Sequence, residues 1–255
     1  MHSPSVLLAA SVLLIAAAPY EPPHGGTRTV YRHSSLIDGT GAPIKRDVAV
    51  ITDGERIAAV VPDAELNAAK LDGAKQVDGP GEFLLPGYID SHQHLATPPN
   101  RPEAEARLKR DIYSGITGTR DMADDIRQIA DITRAARVGE IPSPDINYVA
   151  LMAGPGFFKD PRTEAIAYGA VAGQVPWEQA IDHSTDMSLA IARAKGTYAT
   201  AVKIYADLPG DLVAKITSEA HRQGLRAWAH GMVFPATPQE VVDAGVDTVS
   251  HTCYL

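Results

Sequence analysis

An α/β fold is predicted: an incomplete (β/α)8 barrel of TIM type, with about six strands present, behind a small N-terminal β-sandwich module. Two patterns carry the prediction. From residue 84 to 251 short apolar runs alternate with helical ones, as in parallel strands joined by crossover helices. The runs end near residues 94, 121, 152, 203, 230 and 251, in steps of 27, 31, 51, 27 and 21 residues, where an eight-fold barrel uses roughly 30 per unit. From 27 to 83 the chain instead shows short β-branched runs broken by turn formers. A chain of 255 residues, 45% apolar, can fill both cores.

The elements follow in order. Val6 to Ala18 is an unbroken run of apolar and small residues, too short to cross a bilayer but suited to a secretory leader, with Ala16-Ala17-Ala18 as the cleavage site. Residues 1–18 therefore read as a signal peptide for export to the periplasm or beyond. No Lys or Arg precedes the run and Pro19 would follow the cut, so an uncleaved membrane anchor is the alternative. Residues 19–26, rich in Pro and Gly, read as a linker. Residues 27–83 form the β module, with strands at 29–31, 48–51, 57–61 and 75–77 and a hairpin turn over Thr52-Asp53-Gly54-Glu55. Residues 84–255 form the barrel. Its strands are expected at 84–94, 116–121, 146–151, 201–205, 225–230 and 247–251, and its helices at 103–114, 124–138, 184–195, 211–223 and 238–244. The long step holds a loop from Ala153 to Pro176, of the kind that shapes a substrate pocket.

The polar residues sit where such a barrel does its chemistry. His92 and His94 close the first strand one residue apart, so both imidazoles leave one face. Lys203 lies in the fourth strand, His230 closes the fifth and His251 the sixth. Parallel strands gather these ends at one mouth, and neutral imidazole suits zinc and its neighbours. His2, His24, His33, His183 and His221 lie in leader, linker, β-module or helical contexts. Lys203 stands among apolar neighbours, and burying an unpaired ammonium is costly. Either its pKa falls and the amine becomes a neutral nucleophile, or it pairs with Asp90, Asp121 or Asp207. The plain alternative for the whole set is a group of structural histidines in an α/β binding domain.

Several residues have two readings each. Asp90 either orients a ligand histidine or caps the loop. Arg120 either faces the pocket or pairs with Asp121. Tyr205 shares a face with Lys203 and either reaches the mouth or packs in the core, and Trp228 either joins His230 or fills the barrel. Gly154 and Gly156 either admit a substrate or form a turn. Cys253, the single cysteine, excludes an internal disulfide and reads as a small buried hydrophobe. A net charge of -8 argues against nucleic acid or an anionic membrane as partner and says nothing about the substrate; a small-molecule substrate is the partner expected.

Taken together these pieces resemble the amidohydrolase superfamily, in particular its imidazolonepropionase-like and Xaa-Pro-dipeptidase-like metal-dependent hydrolases. The matching segments are Asp53-Gly54-Glu55-Arg56-Ile57, the run from Leu85 to His94, Gly115-Ile116-Thr117 through Arg120-Asp121, Val202-Lys203-Ile204, Ala229-His230-Gly231 and Ser250-His251-Thr252. The resemblance implies two divalent metal ions, zinc foremost. His92 and His94 would hold the more buried ion, His230 and His251 the other, and Lys203, carboxylated by CO2, would bridge them. A hydroxide bridging the two ions would then attack a polarised carbonyl and cleave an amide, lactam, carbamate or ester, a C–N bond foremost. The family's eighth-strand Asp, its general acid/base, has no counterpart in these residues. A fragment of a longer hydrolase is the expectation. The alternative is a catalytically inactive metal-binding chain, with a homo-oligomer as one way to cover an open barrel.

Overall fold

A computed structural model describes residues 27–252 except Ala68, Lys70 and Pro98. The expected leader, the linker and Cys253 lie outside the described residues. No described helix is long and apolar enough to cross a membrane. The chain divides into two compact units between Pro86 and Gly87.

In the first unit β1 (Thr29–Leu36), β2 (Lys45–Asp53) and β3 (Arg56–Pro62) pair antiparallel, with Gly54 at positive φ in the β2–β3 turn. β4 (Lys75–Asp78) and β5 (Phe83–Leu84) run parallel to β1. The expected sandwich takes the form of one five-stranded sheet with an apolar cluster on each face, Val30, Ala49 and Ile51 on one and Leu36, Val48 and Val50 on the other. The module also ends later than residue 83. Phe83 and Leu84 hydrogen-bond beside Ser35 and Leu36, and Pro86, which has no N–H to give a ladder, breaks the run before the barrel starts.

In the second unit β6 (Tyr88–Gln93), α1 (Arg101–Tyr113), β7 (Ile116–Asp121), α2 (Ile126–Arg137) and β8 (Asp145–Ala153) open the barrel. Gly87 is needed at its entry, because a Cβ there would lie 2.0 Å from Thr117 Oγ1. The long connection holds more structure than a loop: α3 (Pro161–Ile166) and a hairpin of β9 (Gln174–Val175) and β10 (Glu178–Ala180). β10 pairs in parallel with the end of β8. This buries Glu178 completely, with neither carboxyl oxygen in a hydrogen bond of normal geometry among the described residues. Burial pushes its pKa up to about 7, against an opposing pull from the Gly173 amide. Then come α4 (Met187–Lys195), β11 (Ala201–Ile204), α5 (Gly210–Arg222), β12 (Arg226–His230), α6 (Pro238–Asp243) and β13 (Thr248–Ser250).

Helix starts follow their caps. Asn100, Asp125, Asp160 and Asp186 each accept a backbone N–H of the first turn, and Thr237 forms a capping box with Glu240. The Asp186 cap explains why α4 begins later than expected, since Ser184 and Thr185 are held in a turn on Asp182. The parallel order is β6-β7-β8-β11-β12-β13, in continuous register except for β6–β7, whose pairing shifts between Tyr88 and Ile89 and again between Asp90 and Gln93. Helix faces and outward strand residues form one large core around Ile129, Ile132, Ile191, Val213 and Ile216. Met122, Val149, Leu151, Ala201 and Trp228 fill the barrel interior.

Candidate metal centre

The same parallel order brings His92, His94, Lys203, His230 and His251 together at the C-terminal mouth. Ring centroids lie 5.4 Å apart for His92 and His94, 4.5 Å for His92 and His251, and 4.4 Å for His230 and His251. The Lys203 amine sits 5.2 Å from the Tyr205 ring, which is in turn 5.2 Å from the His230 ring. A cavity of about 530 Å³ opens beside the cluster, lined by His92, His94, Lys203, Tyr205 and His251 and walled by apolar residues that include Met122 and Leu151.

Burial and mutual repulsion set the charge state. Burial, then Lys203 and the other three histidines, lowers the pKa of His92 to about 3. Burial, His251 and Lys203 lower that of His230 to about 4, and burial followed by Lys203 and His94 lowers that of His251. Lys203 is 1% exposed and makes no hydrogen bond or ion pair with a described residue. Burial brings its pKa down to about 8, against a partial pull upward from the Asp121 charge. The proposed ion pairs with Asp90 and Asp207 do not form. Asp90 accepts the backbone N–H of His92 and the side-chain amide of Gln93, so it caps the loop, and it makes no hydrogen bond with an imidazole among the described residues. Asp207 accepts the Gly156 amide at 2.7 Å.

Two residue expectations need correction. Arg120 does not line this cavity, and it does not pair with Asp121, because successive strand residues point to opposite faces. Its guanidinium lies 4.5 Å from the Trp228 ring centroid and lines a separate cavity at the N-terminal strand ends. Gly154 and Gly156 admit Asp207 rather than a substrate: a Cβ at Gly154 would lie 1.7 Å from the Asp207 carbonyl oxygen, and one at Gly156 2.4 Å from its carboxylate. Trp228 fills the interior. Three of the remaining histidines make surface pairs, His33 with Asp47, His183 with Asp211 and His221 with Asp247.

Sequence reasoning gave no role to Arg107, Ala123 or Asp124 behind His94, and cast Asp121 only as a partner for Lys203 or Arg120. Asp121, at the end of β7, accepts the Leu95 amide at 3.0 Å, and Asp124 accepts the Ala96 amide. His94 Nδ1 lies 3.1 Å from the Ala123 carbonyl oxygen and 3.6 Å from Asp124 Oδ1. Arg107 donates to the His94 carbonyl at 3.0 Å. Burial and the neighbouring Asp124 charge raise the Asp121 pKa. Burial acts the same way on Asp124, but His94, Asp121, Thr97 and the Ala96 amide outweigh it and leave that carboxyl below its ordinary range. The run Asp121-Met122-Ala123-Asp124-Asp125 at a strand end was the available signal.

As a donor set the cluster suits a divalent cation. Its depressed imidazoles are uncharged at neutral pH, as ligands must be, and its lysine has a buried amine without a partner among the described residues. Ring orientation is less complete. Among the described residues no three His, Cys, Asp or Glu side chains converge as a ligand set. The His230 and His251 rings stack with 22° between their planes, so their in-plane lone pairs do not meet. His230 Nδ1 also accepts the Met232 amide at 3.1 Å.

No family model matches the chain. It is 37% identical over 131 residues to an imidazolonepropionase of Arthrobacter sp. (strain FB24), covering 48% of this chain and 30% of that protein. It is 34% identical over 141 residues to the imidazolonepropionase of Paenarthrobacter aurescens (strain TC1), covering 52% and 32%. By sequence the chain is similar to imidazolonepropionases over about half its length. Solved structures superpose on most of it. A Xaa-Pro dipeptidase with bound methionine matches with TM-score 0.71 and 19% identity, covering 90% of this chain and 62% of that one. The ochratoxinase of A. niger matches with TM-score 0.71 and 19% identity, covering 90% and 61%. The chain thus spans about a third of the length of these curated imidazolonepropionases.

Proposed function

We propose that the cluster holds two divalent cations, zinc foremost, and that the protein hydrolyses a small amide, lactam, carbamate or ester, a C–N bond foremost. The observation that carries this reading is Lys203, an almost fully buried side chain whose amine lies 5.2 Å from the Tyr205 ring and makes no hydrogen bond or ion pair with a described residue. A neutral amine is the form that reacts with CO2. Its nitrogen lone pair bonds to the carbon, an N–H proton leaves, and the resulting carbamate places a negative charge among the imidazoles. His92 and His94 would hold one ion, His230 and His251 the other, and the Lys203 carbamate both. Bound there, the ions supply Lewis-acid polarisation of the scissile carbonyl and a more acidic water. The apolar wall of Met122, Leu151, Phe157 and Ile166 takes up the substrate body and excludes water around it. Export through residues 1–18 belongs to the same proposal, and a mature N-terminus after Ala18 in the exported fraction checks it.

The test uses the purified chain with zinc and 13C-labelled bicarbonate against a panel of N-acyl amines, lactams and esters. A carbamate carbonyl signal and zinc-dependent turnover are expected, both lost in Lys203→Ala, turnover by about a hundredfold or more. Unchanged turnover in that variant ends the proposal. The stacked His230 and His251 rings favour a second reading, an inactive chain that binds metal weakly. Less than one zinc per chain with no turnover would establish it.

A further inference from the structure

The turn that follows β7 is strained. Ala123 is 4% exposed and holds φ at +99°, a conformation that side-chain-bearing residues rarely adopt and that costs about 1–3 kcal/mol. Its geometry brings two oxygens from consecutive residues to one atom, His94 Nδ1: the Ala123 carbonyl at 3.1 Å and Asp124 Oδ1 at 3.6 Å. We propose that Asp124, with the Ala123 carbonyl, is a positioning pair for His94 that keeps the imidazole hydrogen on Nδ1 and leaves Nε2 as its lone-pair nitrogen. The role of that nitrogen as a ligand rests on the metal reading above; the tautomer does not.

The argument is one of valence. A carbonyl oxygen accepts hydrogen bonds and cannot donate them, and an ionised carboxylate is the same. An imidazole nitrogen facing both must carry its hydrogen, since a lone pair there would face two oxygens. Asp124 cannot turn away. Its side chain is fully buried, its Oδ2 is tied to the Ala96 amide, and Oδ1 makes no hydrogen bond of normal geometry with a described residue, Asp121 and Thr97 being its other polar neighbours. The gap of 3.6 Å is one small ring rotation from a shared hydrogen bond. His94 itself is held in place, by Arg107 on its carbonyl and by Asp121 and Asp124 on the two amides that follow. Only the ring is free to choose a tautomer, and the oxygens behind it make that choice.

The test is long-range 1H–15N NMR of the histidine rings in the metal-free protein, followed by zinc titration of the same samples against a competing chelator. Wild-type His94 is expected as the Nδ1–H tautomer. Asp124→Asn keeps the size and can still accept the Ala96 amide through its carbonyl oxygen, but it turns an NH2 donor toward Nδ1; a shift toward the Nε2–H tautomer is expected. Zinc affinity should then fall by about 10- to 100-fold with the melting temperature little changed. His94 as Nε2–H in the wild type overturns the proposal without any variant, and so does an unchanged tautomer in Asp124→Asn. If the tautomer responds but the wild type binds no zinc, the positioning pair stands and the metal reading falls.

Discussion

The two halves of the histidine cluster are built differently. On the β6–β7 side, His94 has a strained turn, a carbonyl and a buried carboxylate behind its outer nitrogen, and its backbone is tied at three points. On the β12–β13 side, His230 accepts an amide at Nδ1, which puts its hydrogen on Nε2, and His251 sits at φ +61° with its ring stacked on His230. Four histidines at strand ends therefore do not make four equivalent ligands. What stands behind each ring decides whether its lone pair is ready, and ordering it in advance lowers the cost of binding.

Measurements can break or sharpen this contrast. The largest expected difference is in zinc binding: His94→Ala should lose about a hundredfold or more in affinity, and His251→Ala about tenfold or less, read by competition with a chelator. Equal losses would erase the distinction between the two sides. The contrast extends to carboxyls, since Asp124 is buried with donors and Glu178 without them. The Glu178 pKa in the folded chain, about 7, lies above its ordinary 4.5. Its contribution to stability is therefore full below pH 4.5, declines as pH rises through about 7, and is level beyond. Glu178→Gln should remove that decline and gain on the order of 3 kcal/mol on the wild type between pH 4 and pH 8, read by urea unfolding. A parallel pH dependence in both proteins would show that Glu178 is not buried as a charge-intolerant group. The smallest effect is at the strained turn. Ala123→Gly should leave stability unchanged or raise it by about 1 kcal/mol, since glycine adopts φ +99° without steric cost. A loss of more than that would mean that the Ala123 methyl, not its carbonyl, is what the turn needs.

The fold was legible because its signals are local. Apolar runs of strand length, capped helical runs and near-regular spacing are written in neighbouring residues, and a parallel sheet follows from their alternation. The late module boundary was less legible, because Leu84 looks like the start of a barrel strand and only its pairing with Leu36 assigns it to the first sheet. Within the long connection, two- and three-residue strands are too short to leave a periodic trace.

By itself the sequence determined which side chains meet. Once six strands run parallel, residues at their C-terminal ends share a mouth whatever the details, so the grouping of His92, His94, Lys203, His230 and His251 is a matter of order along the chain. Only the tertiary structure decided what each can do there. The tautomer of His94, the orientation of Arg120 toward Trp228, the close approach of Gly154 and Gly156 to Asp207 and the isolation of Glu178 all depend on contacts between residues far apart in sequence. Hydrogen bonds and burial act over a few ångströms, and no pattern along the chain records which distant atoms folding brings within that range.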